Sequence, residues 1–223
     1  MAPSSGRTRR RVLPRAFYDR DTLTVTADLI GKVLVHRTAD GLAAGAIVEA
    51  EAYVGESDPA CHAAPGPTRR NEPLYGPPGV AYVYLNYGMH YLVNAVTESR
   101  GHPAAVLIRA LEPLEGIDLM AQRRAGPAST ETSALCRGPG NLTKALGISL
   151  AHNRLQLTAP PLSIEDWGLP AHDHVWGPRI GIRVGTDRPW RCWVPGHECV
   201  SGRSQSARLK PRPTAVRGTR PRA

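Results

Sequence analysis

The chain has 223 residues, 41% of them hydrophobic. That is enough for one domain with a core, and no apolar run approaches the ~18 residues of a membrane-crossing helix. Net charge is +9, but residues 1–16 and 202–223 together carry twelve basic residues and no acid, so the segment 17–201 sets 16 basic residues against all 19 acids, near −3. The charge therefore belongs to two tails and by itself argues only weakly for a nucleic-acid-coating protein.

The first tail, 1–16, lacks the apolar stretch of a secretory signal; it has the composition of a transit peptide but no clear amphipathic period. The sequence then predicts a helix over 21–30 closed by Gly31, and a strand over 32–37. "GAIVEAEAYV" (45–54) is a second strand, placing Ile47, Glu49, Glu51 and Tyr53 on one face. Residues 55–79 are rich in Pro and Gly and form a loop long enough to suggest function. "VAYVYLNYGMHYLVNAVT" reads as a β-hairpin turning at Asn86-Tyr87-Gly88. "AAVLIRALEPL" is a further strand and "LEGIDLMAQRR" a helix. "GPGNLTKALGI" is a second late helix with Asn141 as candidate N-cap. "RIGIRV" and "WRCWVP" read as late strands. Helices and strands do not alternate regularly. The expected class is therefore α+β: one mixed domain over 17–201 with a curved, largely antiparallel sheet, surrounding helices and a protruding hairpin, followed by a basic tail over 202–223.

Four cysteines form no CxxC pair, and Cys192, His197 and Cys199 match no common zinc spacing. No metal is expected, Cys192 reading as a strand residue and Cys199 as part of a turn. Reduced thiols and no signal place the protein in the cytoplasm, at the nucleoid if bacterial.

Four features carry chemistry. Glu49 and Glu51 would lie ~7 Å apart along a strand, a separation within the roughly 5–9 Å used by paired carboxylates in glycoside hydrolysis; the plain alternative is a solvated strand face. Tyr75, Tyr82, Tyr84, Tyr87 and Tyr91 are five of the seven tyrosines, with Tyr53 in a neighbouring strand. Such surfaces suit stacking on bases or sugars, although Tyr82 and Tyr91 fit simple packing. The tip "NYGMH" sets Tyr87 and Met89 at a turn, as in side chains that wedge between base steps. Arg69, Arg70 and Asn71 share the long loop with His62 and could meet phosphates. "RGPGNL" at a helix start could do the same, or be an ordinary helix entry.

In order, "VEAEAY", His62, "RRN", "YVYLNYGMHYLVN", "LIRALEPLEG", "GPGNL" and "RIGI" closely resemble the alkyladenine (3-methyladenine) DNA glycosylase family, from about Phe17 to Ser201. The resemblance implies a monofunctional enzyme, without metal or organic cofactor. Such enzymes flip alkylated purines (3-methyladenine, 7-methylguanine, in some members hypoxanthine) out of double-stranded DNA and hydrolyse the N-glycosidic bond. It further implies Glu51 as the base that activates water, with Arg109 and the Ile180 carbonyl holding that water. Tyr53, His62 and Tyr84 would wall the base, and Asn94 would exclude the 2-amino group of normal guanine. Tyr87 would fill the vacated stack beside Met89, while Arg69, Arg70, Asn71 and Asn141 would contact the DNA backbone. A monomer is expected, with no membrane partner. His90 and Leu92 depart from the bulkier residues of some members. A non-catalytic nucleic-acid-binding domain of the same fold is the alternative.

Overall fold

A computed structural model describes residues 10–124 and 131–202. Most of both basic tails, 1–9 and 203–223, lies outside the described residues. In chain order the elements begin with β1 (Arg11–Val12), α1 (Arg15–Tyr18), α2 (Thr22–Leu29), β2 (Val33–Thr38), β3 (Gly41–Val54), β4 (Ala81–Asn86), β5 (His90–Val96) and β6 (Ala104–Glu115). They continue with α3 (Ile117–Arg124), α4 (Thr132–Leu135), α5 (Pro139–Leu146), β7 (Leu162–Asp166), β8 (Val175–Gly177) and β9 (Arg191–Trp193). Short 3-10 turns occupy Glu72–Tyr75 and Leu150–His152.

All strand pairs are antiparallel, in the order β1-β7-β2-β3-β6-β5-β4, with β9 joining β3 and β8. The sheet curls into a half-barrel, as the mixed α+β expectation requires. β3 is its spine. Its residues from Ala43 to Ala52 are all buried, and Ala44, Ala46, Ala50 and Ala52 keep the side chains small. Gly45 marks a register shift opposite β6: a Cβ there would lie 2.8 Å from the Glu112 carbonyl oxygen, so only glycine lets the strands close. A second shift around Glu49 re-aims the side chains next to the site.

The helix expected over 21–30 is α2, whose N-cap Asp21 accepts a hydrogen bond from the Thr24 amide at 2.8 Å. The hairpin forms as read. Tyr87 (φ 50°) and Gly88 (φ 71°) are its central residues, and the Met89 amide donates to the Asn86 carbonyl at 3.1 Å. Positive φ at both positions matches the turn to the right-handed twist of the strands. α5 supports the hairpin: the Thr143 hydroxyl donates to the Tyr91 carbonyl at 2.6 Å, and a Cβ on Gly140 would lie 2.8 Å from the His90 ring.

Three expectations need correction. The sheet begins before residue 17, since Arg11 and Val12 pair with Asp166 and Glu165. "RIGIRV" is irregular, because Gly181 and Gly185 adopt positive φ and Arg179 is drawn to a distant partner. Asn141 is not a cap. α5 starts at Pro139 behind Gly138, whose φ of 101° suits glycine, and Asn141 lies inside the first turn. Finally, β1, β7 and β8 were not anticipated.

Candidate active site

The hairpin, the long loop and the 180–182 segment enclose a half-open cleft of about 380 Å³. Tyr53, His62, Tyr82, Tyr84, Asn94, Arg109 and Ile180 line it, and Tyr87 stands at its lip. Leu85, Tyr87 and Met89 are exposed at the hairpin, with Tyr87 at 82% and Met89 at 73%. No packing within the domain covers these side chains, and apolar groups gathered at one exposed tip are the kind of patch that marks interaction surfaces.

Glu49 and Glu51 are both fully buried, which rules out a solvated strand face. Their surroundings differ. Glu49 is tied into an ionic cluster: its Oε1 accepts from Arg109 Nε (2.9 Å) and Arg191 Nε (2.7 Å), and its Oε2 accepts from the Ser201 amide (2.7 Å). Glu51 lies directly behind the cleft wall, bonded only to groups that line it. Its Oε1 accepts from the Ile180 amide at 2.7 Å, and its Oε2 accepts from the Tyr53 hydroxyl at 2.9 Å and Arg109 Nη1 at 3.3 Å. Burial pushes the Glu51 pKa up, against the pull of Arg109, the Ile180 amide and the Tyr53 hydroxyl. The result is a stronger base than an exposed carboxylate. Arg109 bridges the two acids and also donates to the Ser201 hydroxyl at 3.2 Å.

The aromatic walls are fixed from behind. The His62 ring meets Tyr84 at 4.5 Å between centroids, and Tyr82 and Tyr84 lie 5.3 Å apart, tilted by 32°. Asn94 donates to the Tyr82 carbonyl at 3.0 Å. Burial raises the Tyr53 and Tyr84 phenols far above their usual range, so both present neutral rings. Cys61 borders the same space, its thiol pushed up to about 11 by burial and so protonated at neutral pH. His62 is held neutral, first by burial and then by the Arg70 cation.

The sequence matches the family model described as methylpurine-DNA glycosylase over residues 16–198. The chain belongs to the methylpurine-DNA glycosylase family. Three relatives carry the name "Putative 3-methyladenine DNA glycosylase". One from Burkholderia lata is 50% identical over 194 residues, 86% of this chain and 91% of its own. One from Methanocella arvoryzae is 48% identical over 197 residues, covering 86% of this chain and 97% of its own. One from Bradyrhizobium diazoefficiens is 46% identical over 208 residues, covering 90% and 98%.

As a DNA glycosylase, the enzyme is a hydrolase of the N-glycosidic bond, and DNA is its substrate. Tyr53, His62, Tyr84, Asn94, Arg109 and Ile180 line the cleft, Glu51 lies behind its wall bonded to three of them, and Tyr87 stands at the lip, with the exposed Met89 two residues further along the hairpin. Ile180 shows a contact the sequence did not suggest: its amide donates to Glu51. Arg69 and Arg70 are exposed near the mouth, with the Arg70 guanidinium 5.6 Å from the Tyr84 ring centre.

Two glycosylase residues expected at phosphates do other work. Asn71 is buried; its amide donates to the His62 and Gly66 carbonyls (2.7 and 2.9 Å), and its Oδ1 accepts from the Thr68 amide. It therefore shapes the loop that presents His62. Asn141 donates to the Arg137 carbonyl at 2.7 Å and accepts from Arg124, so both ends of its amide are engaged within the protein.

The sequence reading missed a clasp behind Tyr53. Arg179 and Asp58, both buried, pair through bonds of 2.6 and 2.8 Å, and Arg179 also donates to the Ala52 carbonyl. The Arg179 guanidinium lies 4.6 Å from the Tyr53 ring centre. This clasp fixes the segment whose Ile180 amide holds Glu51. An Asp in the Pro/Gly loop and an Arg in "RIGI" were visible in the sequence, but nothing local joined them. Among the described residues no group of metal-ligating side chains gathers, and no helix is long and apolar enough to cross a membrane.

Proposed function

We propose that the enzyme excises alkylated purines, 3-methyladenine and 7-methylguanine, and also hypoxanthine, from duplex DNA by a one-carboxylate mechanism. The observation that carries this reading is Glu51: one buried acid, bonded only to groups of an aromatic cleft, beneath an exposed aromatic tip.

Extruding a nucleotide costs a few kcal/mol, less when its pair is already damaged. Tyr87 offsets that cost by filling the vacancy, with Met89 beside it. Arg69 and Arg70 meet the backbone. The flipped base stacks among Tyr53, His62 and Tyr84, worth about 1–3 kcal/mol per stacking contact. A purine alkylated at N3 or N7 is cationic, which adds about 0.5–2 kcal/mol against a neutral aromatic face. Asn94, pinned by the Tyr82 carbonyl, excludes the extra amino group of guanine.

A carboxylate offers about four acceptor positions. Three on Glu51 are taken, one on Oε1 and two on Oε2. The open position on Oε1 receives the attacking water, which Arg109 and the Ile180 carbonyl orient. Glu51 takes a proton from that water while its charge stabilises the oxocarbenium-like sugar. The bond from the sugar carbon to the purine nitrogen breaks, and its electron pair leaves with the base: neutral hypoxanthine departs as an anion that solvent then protonates, while a cationic purine is simply neutralised. No second acid is then needed for such lesions. Glu49, committed to Arg109, Arg191 and Ser201, fits the same scheme, and a two-carboxylate sugar hydrolase does not.

The test uses duplexes carrying 7-methylguanine, 3-methyladenine or hypoxanthine at one site, followed by alkaline cleavage of abasic sites. Strand breaks at the lesion are expected with the wild-type chain. Tight lesion binding with no breaks would instead support a non-catalytic binding domain.

A further inference from the structure

Tyr82 poses a problem that packing alone does not solve. It alternates with Tyr84 on β4, is only 2% exposed, and buries a hydroxyl where phenylalanine would need no partner. That hydroxyl lies 2.8 Å from Nδ1 of His62, and the Arg70 guanidinium, which can only donate, also bonds to it. Two arrangements are available. If His62 Nδ1–H donated to the phenol oxygen, the buried O–H would find no acceptor, which is unfavourable for a group cut off from water. If the phenol donates to Nδ1, its proton is used. Its oxygen lone pairs are then free to face the nearby Arg70 cation, which pulls the Tyr82 pKa down against the larger rise from burial.

The second arrangement fixes the imidazole. His62 is neutral, and a neutral ring that accepts at Nδ1 carries its proton on Nε2. Nε2 has no hydrogen-bond partner among the described residues, and the ring lines the cleft. Asn71 holds the His62 carbonyl at 2.7 Å, so the residue is fixed at both its backbone and its ring.

We infer that Tyr82 is a positioning residue that locks His62 in the Nε2–H tautomer, so that the cleft presents a fixed neutral donor to the base. The clause about the base rests on the proposed function; the tautomer does not. The donor favours a particular class of substrate. A neutral purine such as hypoxanthine keeps lone pairs on N7 and O6 that can accept it. A purine methylated at N7 has lost one acceptor and carries a positive ring, so it depends on stacking instead. Tyr82 thereby broadens the range from cationic to neutral lesions.

Two measurements on the full chain test this. The first is ¹⁵N NMR of histidine-labelled protein without DNA, with His62 assigned by its loss in His62→Gln. The expected spectrum has a protonated Nε2 and a bare Nδ1; in Tyr82→Phe the proton spreads over both nitrogens. A wild-type proton on Nδ1 overturns the inference, as does a tautomer unchanged in Tyr82→Phe. If that variant fails to fold, the wild-type spectrum still decides. The second is single-turnover excision by wild type and Tyr82→Phe. The variant should lose about tenfold more rate on hypoxanthine than on 7-methylguanine, equivalent to about 1.4 kcal/mol. Equal losses on both, or a wild type that excises 7-methylguanine but never hypoxanthine, would overturn the donor's role. A wild type that excises neither sinks the proposed function and leaves the tautomer to the spectrum.

Discussion

Glu51→Gln changes one atom's worth of chemistry and keeps the side chain's shape. In the native site the carboxylate accepts from the Ile180 amide, the Tyr53 hydroxyl and Arg109. Glutamine has one oxygen. Turned toward Tyr53 and Arg109, it sets its NH₂ against the Ile180 amide; turned the other way, it sets the NH₂ against Arg109. One or two bonds are lost, each worth about 1.5–3 kcal/mol when a charged group is involved. Relief from burying a carboxylate offsets much of that loss. Net stability should therefore change by no more than about 2 kcal/mol. The rate should change far more. Loss of the general base removes about 10²–10⁴-fold, and loss of the charge facing the sugar a further 10²–10³-fold. Glu49→Gln should show the reverse balance. It strips a partner from two buried arginines, which costs about 3–5 kcal/mol of stability, while its folded fraction keeps Glu51 and so most of its chemistry. The assay pairs single-turnover excision from a 7-methylguanine duplex with denaturant unfolding. A Glu51→Gln enzyme within tenfold of wild type would refute the one-carboxylate assignment, and equal kinetic damage from both variants would restore the two-carboxylate scheme.

Tyr87→Ala should leave the unfolding midpoint within about 0.5 kcal/mol, since the side chain is 82% exposed. It should weaken lesion-duplex binding measured by fluorescence anisotropy, and unchanged affinity would count against insertion. Asp58→Asn should destabilise by about 3–5 kcal/mol, because it breaks a fully buried bidentate pair. Calorimetry should register that as a melting point lower by roughly 6–20 °C, and a shift under a few degrees would show the clasp to be dispensable. His36 is buried, its ring bonded to the Leu146 carbonyl at 2.7 Å, and its pKa lies below 6.5 chiefly through burial. The unfolded chain thus takes up a proton at a pH where the folded chain does not. The His36 contribution should be level above pH 6.5 and fall as pH drops below it, with His62 adding to that slope and Glu51, whose pKa burial raises, opposing it. Denaturant midpoints between pH 7.5 and 5 should show a shallower slope in His36→Gln; an identical slope would remove His36 from the account.

The hairpin was legible because two local signals agreed: alternating residues on each side and a glycine at the turn. The Glu49, Glu51 and Tyr53 face was legible for the same reason, since a period of two is read directly from the chain. What those carboxylates do was not, because Arg191 and Ser201, which claim Glu49, lie more than a hundred residues away in sequence. "RIGIRV" misled because Ile and Arg alternate there as they do in a strand; its backbone is set instead by two glycines and by Asp58, 121 residues away. Asn71 misled through its neighbours. Beside two exposed arginines it looked like a surface group, but it turns inward to hold three backbone groups of its own loop. β1 and β8 are two and three residues long, too short to show any period, and exist through the strands they pair with.

β3 has neighbours on both edges along much of its length: β2 and β6 over residues 44–46, then β9 and β6 over 49–51. A strand clamped on both sides surrenders its amide protons only when the surrounding sheet opens, so residues 49–51 should be among the slowest to exchange with heavy water. Glu51 is thus rooted in that doubly paired strand together with Tyr53, while His62 and Tyr84, the other two walls of the cleft, sit on a loop and a hairpin. Mild heating should loosen capture of the base before it disturbs the carboxylate, so affinity for damaged DNA should fade ahead of intrinsic turnover.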